Sequence, residues 1–300
     1  MGTIIRTILK QRPADTVTIA FLFFLTILTG AFYHSIPNAP FLIALYALLI
    51  VSQIILEKFQ NSGRFIRFFY DLIFPTLCIL LVFDSLEWVV HYVNPADIDP
   101  TLIRLDYLIF GGHPTVMLEK IMNPYLTDVL QLAYSTYYFI PVSFGIMLLL
   151  GDRRVEFNRS IFMILFCFYL SYLGYILFPA LGPRFYLKDL QTTELHGVLF
   201  AEPMMNLLNR LEGIKRDAFP SGHTGVTLIV LYLAYQYDKK FFRIALPVVS
   251  ALIFATVYCR YHYVVDVIAG FALTLITIIL GEWYYRWWLK GRSAGNFPPV

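Results

Sequence analysis

The run VVDVIAGFALTLITIILGEWYY, residues 264–285, is the stretch on which the fold turns. As a helix it reaches about 33 Å at 1.5 Å per residue, enough to cross a hydrocarbon core of about 30 Å. Seven further apolar segments of similar kind lie at about 16–35, 40–57, 70–93, 126–150, 159–181, 222–237 and 242–258. The whole chain agrees with them. Hydrophobic residues make up 58% of its 300 residues and charged residues only 14%, against about 25% charged in soluble proteins. One core could not hide that much apolar surface, so a soluble domain, a disordered chain, a secreted disulfide scaffold and a nucleic-acid binder are all excluded. The fold class is therefore all-α integral membrane, with about eight transmembrane helices.

The net charge of +3 is small, so its distribution carries the information. With the N-terminus placed in the cytoplasm, each inner segment holds three basic residues: Arg6, Lys10, Arg12; Lys58, Arg64, Arg67; Arg153, Arg154, Arg159; Lys239, Lys240, Arg243; and Arg286, Lys290, Arg292. The positive-inside rule then puts both termini in the cytoplasm and both long loops, 94–125 and 182–221, outside. The expected location is a multi-pass protein of the cell membrane. The first segment follows Arg6, Lys10 and Arg12 as a signal peptide would, but no small-x-small cleavage site follows it and it is kept as a span. Within the outer loops, 101–122 and 202–213 are expected to form interfacial helices, the first interrupted at Gly111-Gly112-His113-Pro114 and the second with Met204, Leu207, Leu208 and Leu211 on one face. Cys78, Cys167 and Cys259 lie far apart and make neither a disulfide framework nor a zinc pattern.

Three motifs fall on the outer side: Phe219-Pro220-Ser221-Gly222-His223-Thr224, Tyr258-Cys259-Arg260-Tyr261-His262-Tyr263-Val264-Val265-Asp266, and Gly182-Pro183-Arg184. The sixth and eighth spans both start there, and a helix N-terminus offers free N–H groups and partial positive charge to an anion. Ser221 is a natural N-cap, and Gly222 lets backbone approach a phosphate closely. Arg184 and Arg260 can add bidentate contacts to phosphate oxygens. His262 and Asp266 are four apart, so the carboxylate can hold one ring nitrogen and leave the other nucleophilic. His223, from a different helix, is then the candidate acid for the leaving oxygen. This set describes metal-free phosphoryl transfer through a phosphohistidine.

Pro220-Ser221-Gly222-His223 and His262-x-x-x-Asp266 resemble the second and third signature motifs of the type 2 phosphatidic acid phosphatase superfamily. The resemblance implies a six-helix core over residues 70–285, two additional N-terminal helices within 1–69, and a cytoplasmic tail over 286–300. It implies His262 as nucleophile, Asp266 as its orienter and His223 as acid, with Ser221, Gly222 and basic side chains holding phosphate. The usual Ser-Arg of the third motif is replaced by Ala255 and Thr256, and Lys-x6-Arg-Pro is replaced by Gly182-Pro183-Arg184. That variant, with the stretch Leu105–Pro114, resembles the branch of inositol-phosphorylceramide synthases and related lipid phosphotransferases.

The expected activity is cleavage of a lipid phosphate ester at the extracytoplasmic face, the chains staying in lipid while the headgroup meets His262. Water as acceptor makes a lipid phosphatase; a polyol or lipid alcohol makes a headgroup transferase. Partners are thus a lipid phosphate or phospholipid, a polyol or lipid alcohol, and the bilayer, with no nucleic acid. No metal or other cofactor is expected, because no carboxylate cluster has magnesium-like spacing. Three alternatives stay open from sequence. Arg184 and Arg260, read as phosphate ligands, could instead anchor at lipid headgroups. Asp84, Glu87 and His91, at i, i+3 and i+7 in the third span, read either as part of a substrate pocket or as a structural network. The same stripe admits a transporter, although no repeat accompanies it.

Overall fold

A computed structural model describes residues 8–211 and 215–294, the side chains of 207–211 excepted. The described chain is helical: α1 Pro13–Ala31, α2 Ala39–Phe59, α3 Arg64–Leu86, α4 Asp99–Phe110, α5 Pro124–Ser135, α6 Ile140–Leu150, α7 Arg154–Leu177, α8 Ala201–Leu211, α9 Gly222–Tyr237, α10 Lys239–Tyr258 and α11 Val264–Ala294. Each apolar segment of the sequence has a helix in its place. Six of them (α1, α2, α3, α7, α10 and α11) are long and apolar enough to cross a membrane, and α5 with α6 makes a seventh if that pair, bent by 51°, is one span. The bend follows from Pro141, whose missing N–H and ring prevent α5 from running on as one helix. The remaining segment, α9, has 16 residues, fewer than the roughly 20 a lipid-facing span needs. It lies among α7, α10 and α11, so protein rather than lipid surrounds it.

The predicted third span, 70–93, is displaced and broken. Helix α3 starts earlier, passes through a π turn at Phe69–Ile73 and ends at Leu86, and one further turn forms at Val90–Val93. The loop helices appear where the sequence puts them. Helix α4 stops at Gly111, in the left-handed region at φ 70°, and α8 covers the second amphipathic stretch. The expected apolar face of α8 at Leu207, Leu208 and Leu211 lies outside the described side chains, as does Arg6.

Helix α11 shows how the bundle assembles. Gly270, Leu273, Thr277 and Gly281 are buried, whereas Phe271, Leu275 and Ile279 are about half exposed on the opposite face, where acyl chains would lie. Since lipid is as apolar as leucine, close approach and packing must hold the helices together. A Cβ on Gly270 would collide with Thr224 and the Ser221 carbonyl, and one on Gly174 would overlap Pro220. These two contacts seat the start of α9 between α7 and α11.

The four helix ends that carry the motifs therefore meet at one end of the bundle. At the other end Arg153 donates to the Tyr237 carbonyl, joining the α6–α7 and α9–α10 turns. There Arg12 is buried between Asp15 and Asp71, Arg154 also reaches Asp71, and Tyr70 and Gln53 donate to Asp15. These bonds tie α1 and α2 to the rest. Arg292 donates to the Leu9 carbonyl and Trp288 to that of Gln11, so the two ends of the described chain lie together.

Candidate active site

His262 occupies the short connection between α10 and α11 and is 3% exposed. Its Nδ1 lies 2.7 Å from the Ala218 carbonyl. A carbonyl only accepts, so Nδ1 carries the proton and the Nε2 lone pair is left free. Nε2 faces Nδ1 of His223 at 3.4 Å. The His223 ring is sandwiched by Tyr134 at 4.5 Å and Tyr137 at 4.1 Å, and Tyr134 stacks in turn on Tyr261. His223 Nε2 is buried without a hydrogen-bond partner.

Asp266 differs from the sequence expectation. Its Oδ2 stands 3.4 Å from His262 Nδ1 but accepts the Tyr263 N–H at 2.8 Å, while its backbone carbonyl accepts the Ser221 N–H at 3.0 Å. The carbonyl of Ala218 is thus the nearer orienter, and Asp266 joins the two motif loops to each other. An Asp266→Asn protein is expected to lose only about tenfold in kcat/KM, because Ala218 still sets the tautomer. Where a carboxylate alone does so, the amide costs about 10⁴-fold. A measured loss above about 10³-fold would return the orienting role to the carboxylate.

Ser221 caps α9 as read from sequence, its Oγ accepting the Thr224 N–H at 3.3 Å. Gly222 has a packing reason as well, since a Cβ there would collide with the Tyr175 hydroxyl. The N-terminus of α11 is not open to an anion, contrary to expectation. Asp106 of α4 accepts both Val264 N–H (3.0 Å) and Val265 N–H (2.9 Å), so a protein carboxylate already holds the groups that phosphate would need. At α9 too, Ser221 Oγ holds the Thr224 N–H and the Ser221 carbonyl the Gly225 N–H.

The arginines separate. Arg184 follows Gly182, whose φ of 94° and whose contact with the Tyr261 carbonyl both require glycine. Asp99 accepts the Leu181 and Gly182 N–H groups at 2.9 and 2.8 Å and the Tyr263 hydroxyl at 2.9 Å, fixing this loop against α11. The Arg184 guanidinium lies over Tyr261 at 5.2 Å and its charge is felt at His262. Arg260 is a correction. It pairs with Glu119 at 2.7 Å and donates to the Thr193 carbonyl at 2.5 Å. Both contacts use one terminal nitrogen, which ties the two long loops together rather than being turned to a phosphate, and Nε is buried without a partner.

Asp84, Glu87 and His91 are also revised. The break after Leu86 takes His91 off the helix that bears Asp84; Asp84 and His91 are exposed, and Glu87 accepts the Lys215 N–H at 3.1 Å. None of them lines the cavity that reaches His223. The apolar face of α3 does so, with α6, α7 and Asp217. Sequence reasoning missed Asp217. It lies six residues before His223, beside Lys215 and Arg216; Arg216 pairs with Asp97 at 2.7 Å, and the Asp217 charge is felt at both His262 and Asp266. Its neighbourhood within Arg216–His223 was the one available signal.

Burial holds the His262 imidazole down at about 4, against the opposing pull of Asp217 and the Ala218 carbonyl. The imidazole is therefore neutral at every pH well above 4. If its free nitrogen is needed, the acid limb of kcat/KM has its midpoint near 4, and a limb at the ordinary 6.5 would show that His262 titrates as though exposed.

Residues 101–280 match the sequence profile of the PAP2 superfamily. The chain belongs to that superfamily. Among curated proteins, a PA-phosphatase related-family protein of Dictyostelium discoideum is 23% identical over 178 residues, 53% of this chain and 32% of its own length. A phosphoinositol dihydroceramide synthase of Bacteroides thetaiotaomicron is 24% identical over 238 residues, 69% of this chain and 73% of its own. The chain thus spans about a third of the first relative and about three quarters of the second. No solved structure matches. The PAP2 match begins within α4 and takes in His223, His262, Asp266, Arg184 and Asp217 together.

Proposed function

We propose that this PAP2 protein is a lipid phosphatase or phosphotransferase working through a phosphohistidine on His262. The observation that carries the reading is the Ala218 carbonyl on Nδ1, which leaves the Nε2 lone pair facing His223. In the first half, Nε2 attacks phosphorus, the bond to the leaving oxygen breaks, and His223 gives that oxygen a proton. In the second half His223 takes the proton of the acceptor hydroxyl as its oxygen attacks phosphorus, and the N–P bond breaks. Arg184, whose charge reaches His262, meets the phosphoryl charge. No metal takes part in this scheme, so EDTA is expected to leave turnover unchanged.

The reading includes membrane placement. The site lies at the bundle end away from Arg153, Arg154, Arg159, Lys239 and Lys240, and basic loops stay in the cytoplasm. Both termini are then cytoplasmic, the catalytic unit is 70–285, and the site faces outward.

Transfer to an alcohol is favoured by the relative named as a phosphoinositol dihydroceramide synthase. The experiment follows phosphorus-labelled lipid substrates through purified protein with and without myo-inositol or a lipid alcohol. Label on the added alcohol supports transfer, free phosphate insensitive to it supports hydrolysis, and label released from no substrate rejects both.

A further inference from the structure

The cavity that begins at His223 and Asp217 does not end with the polar groups. It continues down the bundle between α3, α6 and α7, with about 860 Å³ of empty space including its open side. Its character changes along its length. Near the site it is lined by Asp217, His223, Tyr137 and Tyr175, and beyond Tyr172 by Phe168, Thr76 and aliphatic side chains, as far as Leu72 on α3 and Ile161 on α7. A polar end at His223 continuous with an apolar slot is the shape of an amphiphile lying lengthwise. At 1.5 Å per residue the lining is about 16 Å long on α3 (Phe83 to Leu72) and about 21 Å on α7 (Tyr175 to Ile161).

We infer that this slot holds one aliphatic chain of the lipid that reacts at His262, and that Leu72 and Ile161 set the chain length accepted. An extended chain advances about 1.25 Å per carbon from 1.52 Å bonds near 111°, so the apolar part, about 16 Å from Phe83 to Leu72 and from Tyr172 to Ile161, takes about thirteen carbons, and a chain of about sixteen reaches its end from the polar groups. Access is sideways on this reading, because Leu80 lines the cavity and is also 42% exposed on the side of the bundle; Tyr138 and Pro141 of the α5–α6 bend line it too. The chain therefore passes from the bilayer into the protein, whereas the sequence reading left the chains in lipid. A single slot also sorts the substrate's chains, one enclosed and any second one remaining outside. The inference rests on the proposed function for the identity of the lipid, but the chain site is testable without turnover.

The first test uses His262→Asn protein in nanodiscs and a lipid phosphate with a sixteen-carbon chain bearing a terminal diazirine. After illumination, label is expected on Leu72, Thr76, Ile161 or Leu165. Label confined to outward residues such as Leu77 and Leu81 would overturn the chain site. The second test compares kcat/KM for sixteen- and eight-carbon substrates in Ile161→Trp and Thr76→Trp proteins. The sixteen-to-eight ratio is expected to fall at least about tenfold; an unchanged ratio in both folded variants overturns the length rule. The two readings fail separately, because absence of a phosphoenzyme in the wild type with label still in the slot would reject the histidine chemistry and keep the chain site.

Discussion

His262→Asn abolishes turnover, with kcat/KM lower by on the order of 10⁴-fold or more, about 5.5 kcal/mol of transition-state stabilisation. The expectation follows from the two ring nitrogens doing different work. Nδ1 is committed to the Ala218 carbonyl, so only Nε2 can form the bond to phosphorus. An asparagine amide can still donate to that carbonyl, which keeps the buried acceptor satisfied and separates chemistry from folding. The alanine variant lacks the donor and is the poorer test, since it leaves a buried carbonyl unpaired. The check has two parts: wild-type protein mixed with labelled substrate and quenched in alkali retains acid-labile label, and His262→Asn retains none. Near-normal turnover in a folded His262→Asn protein would end the proposed mechanism.

His223→Gln produces the second large loss, and its size depends on the leaving group. General acid catalysis contributes about 10²–10⁴-fold when the departing oxygen needs a proton. A lipid alkoxide needs one; a nitrophenolate does not. The variant is therefore expected to lose about 10³-fold against a lipid substrate and about tenfold or less against a nitrophenyl phosphate ester. Equal losses on both would assign His223 to binding or to holding His262. The tyrosine sandwich makes the test clean, because Tyr134 and Tyr137 fix the plane of whatever replaces the ring. With the acid-limb measurement and Asp266→Asn, these variants examine nucleophile, acid and orienter separately.

The contrast between Arg184 and Arg260 shows where sequence reading stops. Both stand next to a motif, and by sequence either suits phosphate. What separates them is Glu119, 141 positions away in the chain from Arg260, whose carboxylate would compete with a phosphate for the same donor. Asp106 presents the same problem at the start of α11, and a stretch quoted only for its family likeness turns out to supply the cap on Val264 and Val265. Asp84, Glu87 and His91 share a helical face only if the helix is continuous, and it ends at Leu86.

What the sequence determined by itself was local or one-dimensional: the apolar lengths that make helices, the clustering of basic residues by threes, the Ser221 cap, and the order of the two histidine motifs. These depend on hydrophobicity and on hydrogen bonds between near neighbours, and both are written in consecutive residues. Tertiary structure alone decided which carbonyl orients His262, which arginine Glu119 holds, that Asp217 lines the cavity that reaches His223, and that this cavity continues as an apolar slot. Each of those depends on groups brought together across the bundle, where burial removes competing water and a single carboxylate or carbonyl then settles a neighbour's hydrogen bonds and charge.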